Sequence, residues 1–142
     1  MTAVVVAVDV ASTVWAWTSL PNGGKVATFG VTLSLLNNRG AAFGLGGSHP
    51  VLVLLAGVAA TVAVALWLAR SAFRLQRLGL AVALGGGLGN VLVRVAHGAV
   101  IDWIHIAPYP ATFNLADVAI RGGLLVVLAD AVVRTVRNRN TQ

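Results

Sequence analysis

The chain contains no cysteine and no glutamate, a single lysine and four aspartates in 142 residues. Without cysteine there is no disulfide, no thiol nucleophile and no thiolate metal site. Charged residues make up 10% of the chain against 58% hydrophobic ones, and the mean hydropathy is +0.87, too apolar for a water-soluble domain of this size. The formal charge of +6 does not point to nucleic acid, because the basic residues stand at the ends of apolar runs rather than among aromatics on one face. Such an arrangement is that of charges that set membrane topology. Scarcity also makes every acid conspicuous: Asp9, Asp102, Asp117 and Asp130 each need a reason to stand in apolar surroundings.

A bilayer core takes about 20 apolar residues of helix. Four windows meet or approach that length: about 3–20, 50–69, 78–95 and 115–133. The expected architecture is therefore a single domain over 1–142, an all-α integral membrane protein with four transmembrane helices. The first window has no Lys or Arg before it and contains Asp9, which suits a retained helix better than a cleaved signal peptide. Arg70, Arg74 and Arg77 follow the second window, and Arg134, Arg137 and Arg139 follow the fourth. The positive-inside rule then puts both termini in the cytoplasm and the connections 21–49 and 96–114 outside.

Those outer connections are not plain linkers. Val26 to Leu36 is rich in β-branched residues and alternates imperfectly, which predicts one or two short strands at the outer surface. Asn37-Asn38-Arg39-Gly40 reads as a turn, followed by Phe43 as a single aromatic anchor. Pro108 and Pro110 around Tyr109 forbid a continuous helix there, so Asp102 is expected in irregular, partly re-entrant backbone near the membrane surface.

Asp102 and Asp117 flank the entry to the last apolar run, where two carboxylates are candidates for general acid and base work. Simpler readings stand beside this one. Asn114 three residues before Asp117 is also a helix cap with an acid in the first turn, and Asp102 alone is also a wetted loop residue. His49, His97 and His105 lie in separate segments without ligand spacing, and the run Gly85-Gly86-Gly87 with Gly89 permits close helix packing. The only lysine, Lys25, lies in an outer loop, so a Ser-Lys dyad is not expected.

Four blocks in one order nevertheless resemble a single family. They are Asn38-x-Gly40-Ala41-Ala42-Phe43-Gly44, Gly85-Gly86-Gly87-Leu88-Gly89-Asn90 with Arg94, Gly98-x-Val100-Ile101-Asp102, and Phe113-Asn114-Leu115-Ala116-Asp117. Together they are similar to the signature blocks of lipoprotein signal peptidase, also called signal peptidase II, over nearly the whole chain. The resemblance implies a bacterial intramembrane aspartic endopeptidase of the inner membrane, with its active site near the outer face, cutting prolipoproteins before a diacylglyceryl-modified cysteine. It puts the catalytic pair on Asp102 and Asp117, and substrate contacts on Asn38, Gly40, Phe43, Asn90, Arg94 and Asn114, with Gly89 at a further motif position. Neither metal nor other cofactor is implied; the partners are lipidated prolipoprotein signal peptides and membrane lipids, and a monomer is expected.

Two departures accompany the likeness. The family usually carries Lys where this chain has Thr13, and Asp where it has Val93, so one cation and one anion are both neutral here. Losing both costs less than losing one, since a lone buried charge is the expensive state. Arg121, four residues after Asp117, is expected to pair with Asp117 or Asp9 and to supply part of the missing positive charge. Asp130 with Arg134 reads as a simple pair at the cytoplasmic end. The changed positions keep a second function open: a non-cleaving paralogue that binds lipopeptide, or a peptide antibiotic aimed at the housekeeping enzyme.

Overall fold

The computed structural model describes residues 1–20, 26–40 and 46–140. Among these residues four helices and four strands follow in the order α1 (Thr2–Ser19), β1 (Val26–Thr28), β2 (Val31–Asn38), α2 (Pro50–Arg70), α3 (Arg74–His97), β3 (Val100–Ile106), β4 (Thr112–Phe113) and α4 (Leu115–Arg139). Local chemistry marks the helix ends. Pro50 opens α2, where its missing N–H would have had no partner anyway. Gly98 closes α3 in the left-handed region at φ 72°, its N–H bonded to the Arg94 carbonyl. The Asn114 side chain caps α4 by accepting from the Asp117 N–H at 2.9 Å.

Three helices, α1, α2 and α3, are long and apolar enough to cross a membrane. α4 has the length, but Asp117, Arg121 and Asp130 interrupt its apolar run. Large apolar side chains cover the outside of the bundle, among them Val4, Leu55, Val62, Leu125 and Val133, as lipid-facing surfaces require. The interior seams are made of small residues instead. An added Cβ at Gly79 would lie 2.6 Å from the Gly123 carbonyl on α4, and one at Gly85 would lie 2.6 Å from Val5 on α1. Only glycine lets these backbones approach so closely.

The architecture is mostly helical, with the expected small β element beside the helices. A four-stranded antiparallel sheet, in the order β1-β2-β3-β4, sits at the end of the bundle where α1 and α3 finish. The expected strands in 26–36 are present as β1 and β2, joined through Phe29 and Gly30, both at positive φ. Asn37 and Asn38 extend β2 rather than forming a turn, pairing with Ile101 and Val100. Asp102 is not in irregular backbone: it lies in β3, opposite Leu36. The reason is composition, since Val100-Ile101-Asp102-Trp103-Ile104-His105-Ile106 is rich in β-branched residues, and Pro108 and Pro110 fall beyond the strand. The sheet is anchored where Trp103 packs on Ala16 of α1 and on Leu20 just past its end, with Trp15 edge-on to Trp103 at 5.4 Å.

Candidate active site

Four elements deliver the polar residues to one cleft. β2 and β3 carry Asn38 and Asp102, α3 carries Asn90 and Arg94, and the first turn of α4 carries Asn114 and Asp117. The cleft, about 250 Å³, is lined by Asn38, Asn90, Arg94, Asp102, Asp117 and Arg121 among others.

One hydrogen-bonded chain runs through them. Asn38 Nδ2 donates to Asp102 Oδ2 at 2.9 Å, and Asn114 Nδ2 donates to Asp102 Oδ1 at 3.0 Å. The same Asn114 nitrogen donates to Asn90 Oδ1 at 3.0 Å, and Asn90 Nδ2 donates to Asp117 Oδ1 at 3.0 Å. Because Asn114 Oδ1 also accepts from the Asp117 N–H, the cap of α4 and the link between the carboxylates are one side chain. The capping reading and the site reading of Asn114 are therefore both satisfied. Asp102 and Asn114 are 1% and 2% exposed, so the centre of the network is out of water while Asn38, Asn90 and Asp117 at its edges are half-buried.

Burial pushes the Asp102 carboxyl up to about 7, against the Asn38 hydrogen bond that favours its charged form. The Asp117 charge raises it further, while the Arg94 and Arg121 charges oppose that rise. At neutral pH this carboxyl can hold a proton or release one, as acid-base work requires.

Arg94 joins the sheet to α3, donating from Nη2 to the Gly40 carbonyl at 2.7 Å, while its Nε is buried without a partner among the described residues. Gly40 is itself held by its N–H to Asn38 Oδ1 at 2.9 Å. Phe43 lies outside the described residues. Arg121 does line the cleft, but it makes no ion pair with Asp117 or Asp9. Its guanidinium instead lies 5.7 Å from the Tyr109 ring centroid and 6.0 Å from that of Phe113, whose ring faces attract a cation. The expected Asp130–Arg134 pair is present at 2.7 Å, with Arg134 also 3.6 Å from the Phe73 ring centroid.

Asp9 stands behind the site rather than in it. It is 2% exposed, and its Oδ1 accepts from the Ala116 N–H at 2.8 Å, at the N-terminus of α4. Gly89 on α3 leaves room for its carboxylate, since a Cβ there would run into Asp9 Oδ2. The sequence reading singled out Asp9 for its charge but missed this backbone partner, which no local motif announces. It also missed Ala111 and Thr112, apolar or neutral residues that line the cleft. Among the described residues no group of three His or Asp side chains could hold a metal ion.

Comparison with known proteins gives the same picture at family level. A lipoprotein signal peptidase of Rhodopseudomonas palustris is 36% identical, over 94% of this chain and 90% of that protein. One of Nitrobacter hamburgensis is 42% identical over 63% of this chain, and one of Methylorubrum extorquens 35% over 67%. The chain spans 57% and 60% of the length of those two relatives. A bacterial membrane enzyme solved by the in meso method at 2.3 Å has the same fold, with a TM-score of 0.85 at 21% identity over 94% of this chain and 86% of that one. A second, at 1.9 Å, gives 0.80 at 20% identity over 92% and 88%. The model of the signal peptidase (SPase) II family matches residues 1–133, and the chain belongs to that family.

Proposed function

We propose that this chain is an intramembrane aspartic endopeptidase that removes signal peptides from diacylglyceryl-modified prolipoproteins, with Asp102 and Asp117 as its catalytic pair. The observation that carries this reading is the convergence of the two carboxylates on one cleft through the shared Asn90 and Asn114 amides. Family membership supplies the reaction class.

Two carboxylates in one low-dielectric cleft favour holding a single proton between them. The ionised member takes a proton from water as the water oxygen attacks the scissile carbonyl carbon. Its protonated partner gives a hydrogen bond, then a proton, to the carbonyl oxygen as that oxygen gains charge. Collapse of the tetrahedral species returns a proton to the leaving amine and restores the pair. The two roles belong to the pair rather than to either carboxylate alone. Asn38, Asn90 and Asn114 hold the carboxylates in place. Arg94 Nε supplies an unpartnered donor for a substrate carbonyl, and Gly40 lies beside it on the cleft wall.

In this reading α4 is the fourth span, its polar first turn lying in the site and its end among the arginines. Arg70, Arg74 and Arg77 then share a cytoplasmic end with Arg134, Arg137 and Arg139, both termini are cytoplasmic, and the sheet and site lie near the outer face of the inner membrane. The contact of Arg134 with Phe73 supports grouping these arginines at one end.

The test is cleavage of a diacylglyceryl-modified prolipoprotein by the purified protein in detergent, beside Asp102→Asn and Asp117→Asn. Each variant should lose at least about 100-fold in rate while keeping its fold, as removal of an acid-base group does. A folded wild-type protein that binds the substrate without cutting it would instead make the chain a non-cleaving binder.

A further inference from the structure

One cation in the cleft takes no part in the carboxylate network. Arg121 stands on α4 one turn past Asp117 and lines the same cleft as both carboxylates. Among the described residues it makes neither a hydrogen bond nor an ion pair. What holds it is aromatic: its guanidinium lies within 6.0 Å of the rings of Tyr109 and Phe113, which are themselves packed edge to face. A ring face attracts the charge but takes up none of the N–H groups, which lie in the guanidinium plane. Arg121 is thus a held cation with its donors unspent, on a helix whose apolar run makes an idle cation costly.

We propose that Arg121 is a substrate-binding residue, donating to a backbone carbonyl of the signal peptide just upstream of the cut. The proposal rests on the peptidase reading for the run of the substrate. A peptide crosses a bilayer as a helix, and a helix shields its peptide bonds, so the residues beside the cut must unwind to reach Asp102 and Asp117. Unwinding strips their carbonyls of partners where lipid offers none, and each is costly until the enzyme supplies a donor. In that reading the peptide before the cut runs toward the cytoplasmic end of α4. Arg121 lies four residues, or about 6 Å, along that path from Asp117, roughly the length of two residues of extended chain.

A cation here can also act by charge alone. Arg121 opposes the rise of the Asp102 carboxyl, as Arg94 does from α3, while Asp117 adds to that rise. Any positive charge would do as much, and none of that work needs a guanidinium held against two rings. Orientation matters only where the N–H fork must meet an acceptor. Arg121 also falls outside the four sequence blocks, which end at Asp117, so the contact is this chain's own addition to the site.

The experiment uses lipidated prolipoprotein peptides in which each of the three peptide bonds upstream of the scissile one is replaced in turn by an ester, whose carbonyl is the weaker acceptor. Cleavage (kcat/KM) and binding (Kd) are measured for wild type and Arg121→Met. One ester should lower kcat/KM of wild type about 5-fold, the weight of a weakened hydrogen bond. Arg121→Met should cut the all-amide peptide about 10-fold or more less well, and that ester's penalty should vanish. Wild type indifferent to all three esters, or an equal penalty in both proteins, overturns the proposal; equal penalties with a shifted pH–rate profile would leave Arg121 acting by charge alone. Should the methionine variant fail to fold, Arg121→Gln keeps a neutral donor, the weaker kind, and must show a smaller ester penalty than wild type; an undiminished one overturns the proposal. A wild type that binds these peptides and cuts none would sink the peptidase reading, and the ester pattern in Kd would then decide the contact by itself.

Discussion

The helix α3 meets its neighbours in two different ways. Toward α1 and α4 the seams are shut: Gly79 faces the Gly123 backbone, Gly86 faces the Ala116 carbonyl, and Gly89 faces the Asp9 carboxylate, each with no room for a methyl group. Toward α2 the seam is ajar around Gly57, at ordinary distance from Val91 with a cavity left between, and tight only where Gly87 meets Thr61. α2 buries only Val53 and Thr61. The shut seams hold the parts of the network, since Asn90 and Arg94 are on α3 and Asn114 and Asp117 belong to the start of α4. The open one leaves space beside it. Rigidity and access are thus divided between opposite faces of one helix.

The sharpest way to break the shut side is charge. α1 and α3 run in step, with Val5 at Gly85, Asp9 at Gly89 and Trp17 at His97, and this register puts Thr13 level with Val93. Both are buried, at 4% and 7% exposure. Val93→Asp should therefore lower stability by about 3–5 kcal/mol, the cost of a buried charge without a partner. Adding Thr13→Lys should recover at least half of that loss in thermal unfolding in detergent. Recovery would make the two departures from the family pattern one coupled change; two independent losses would unlink them.

Where the shut seams meet the sheet, pH is the lever. The folded-state value of Asp102, about 7, is above its unfolded value near 3.8, so folding favours the protonated form. Stability is then highest at low pH and falls as pH rises through the window from about 4 to about 7, by no more than about 4 kcal/mol. Asp102→Asn should remove that slope and be the more stable protein at pH 8, even though it loses activity. Equal slopes in the two proteins would show that the burial of Asp102 does not govern it.

Methyl groups give the smaller tests. Gly79→Ala, on the shut side, should cost about 1–3 kcal/mol, as overpacking against backbone does. Gly57→Ala, on the open side, should stay within about 0.5 kcal/mol of wild type. If the two cost the same in parallel melts, the distinction between the seams fails.

The parts legible in the sequence were those with a local signature. Pro50 before an unbroken apolar run marked α2, and Asn114-x-x-Asp117 marked the start of α4. The four blocks named five network members, Asn38, Asn90, Asp102, Asn114 and Asp117, that the fold joins. What stayed hidden depended on distant partners. Strand β3 was masked by the prolines that follow it, although its own residues favour a strand. The i,i+4 spacing of Asp117 and Arg121 suggested an ion pair, but Tyr109 and Phe113 hold the guanidinium instead. Asp9 and Ala116 are 107 positions apart, and nothing near either predicts that they meet. The cavity beside α2 is an absence of side-chain volume at Gly57 and Gly87, visible only once α2 and α3 are set side by side.

Asn114 has a consequence for the life of the chain before it is finished. The residue is at once the cap of the last helix and the bridge between the carboxylates. Until α4 has been synthesised, inserted and docked against Gly79 and Gly86, neither the cap nor the bridge exists. Asp102 and Asp117 would thus stay unlinked in a nascent chain until α4 has docked beside α3.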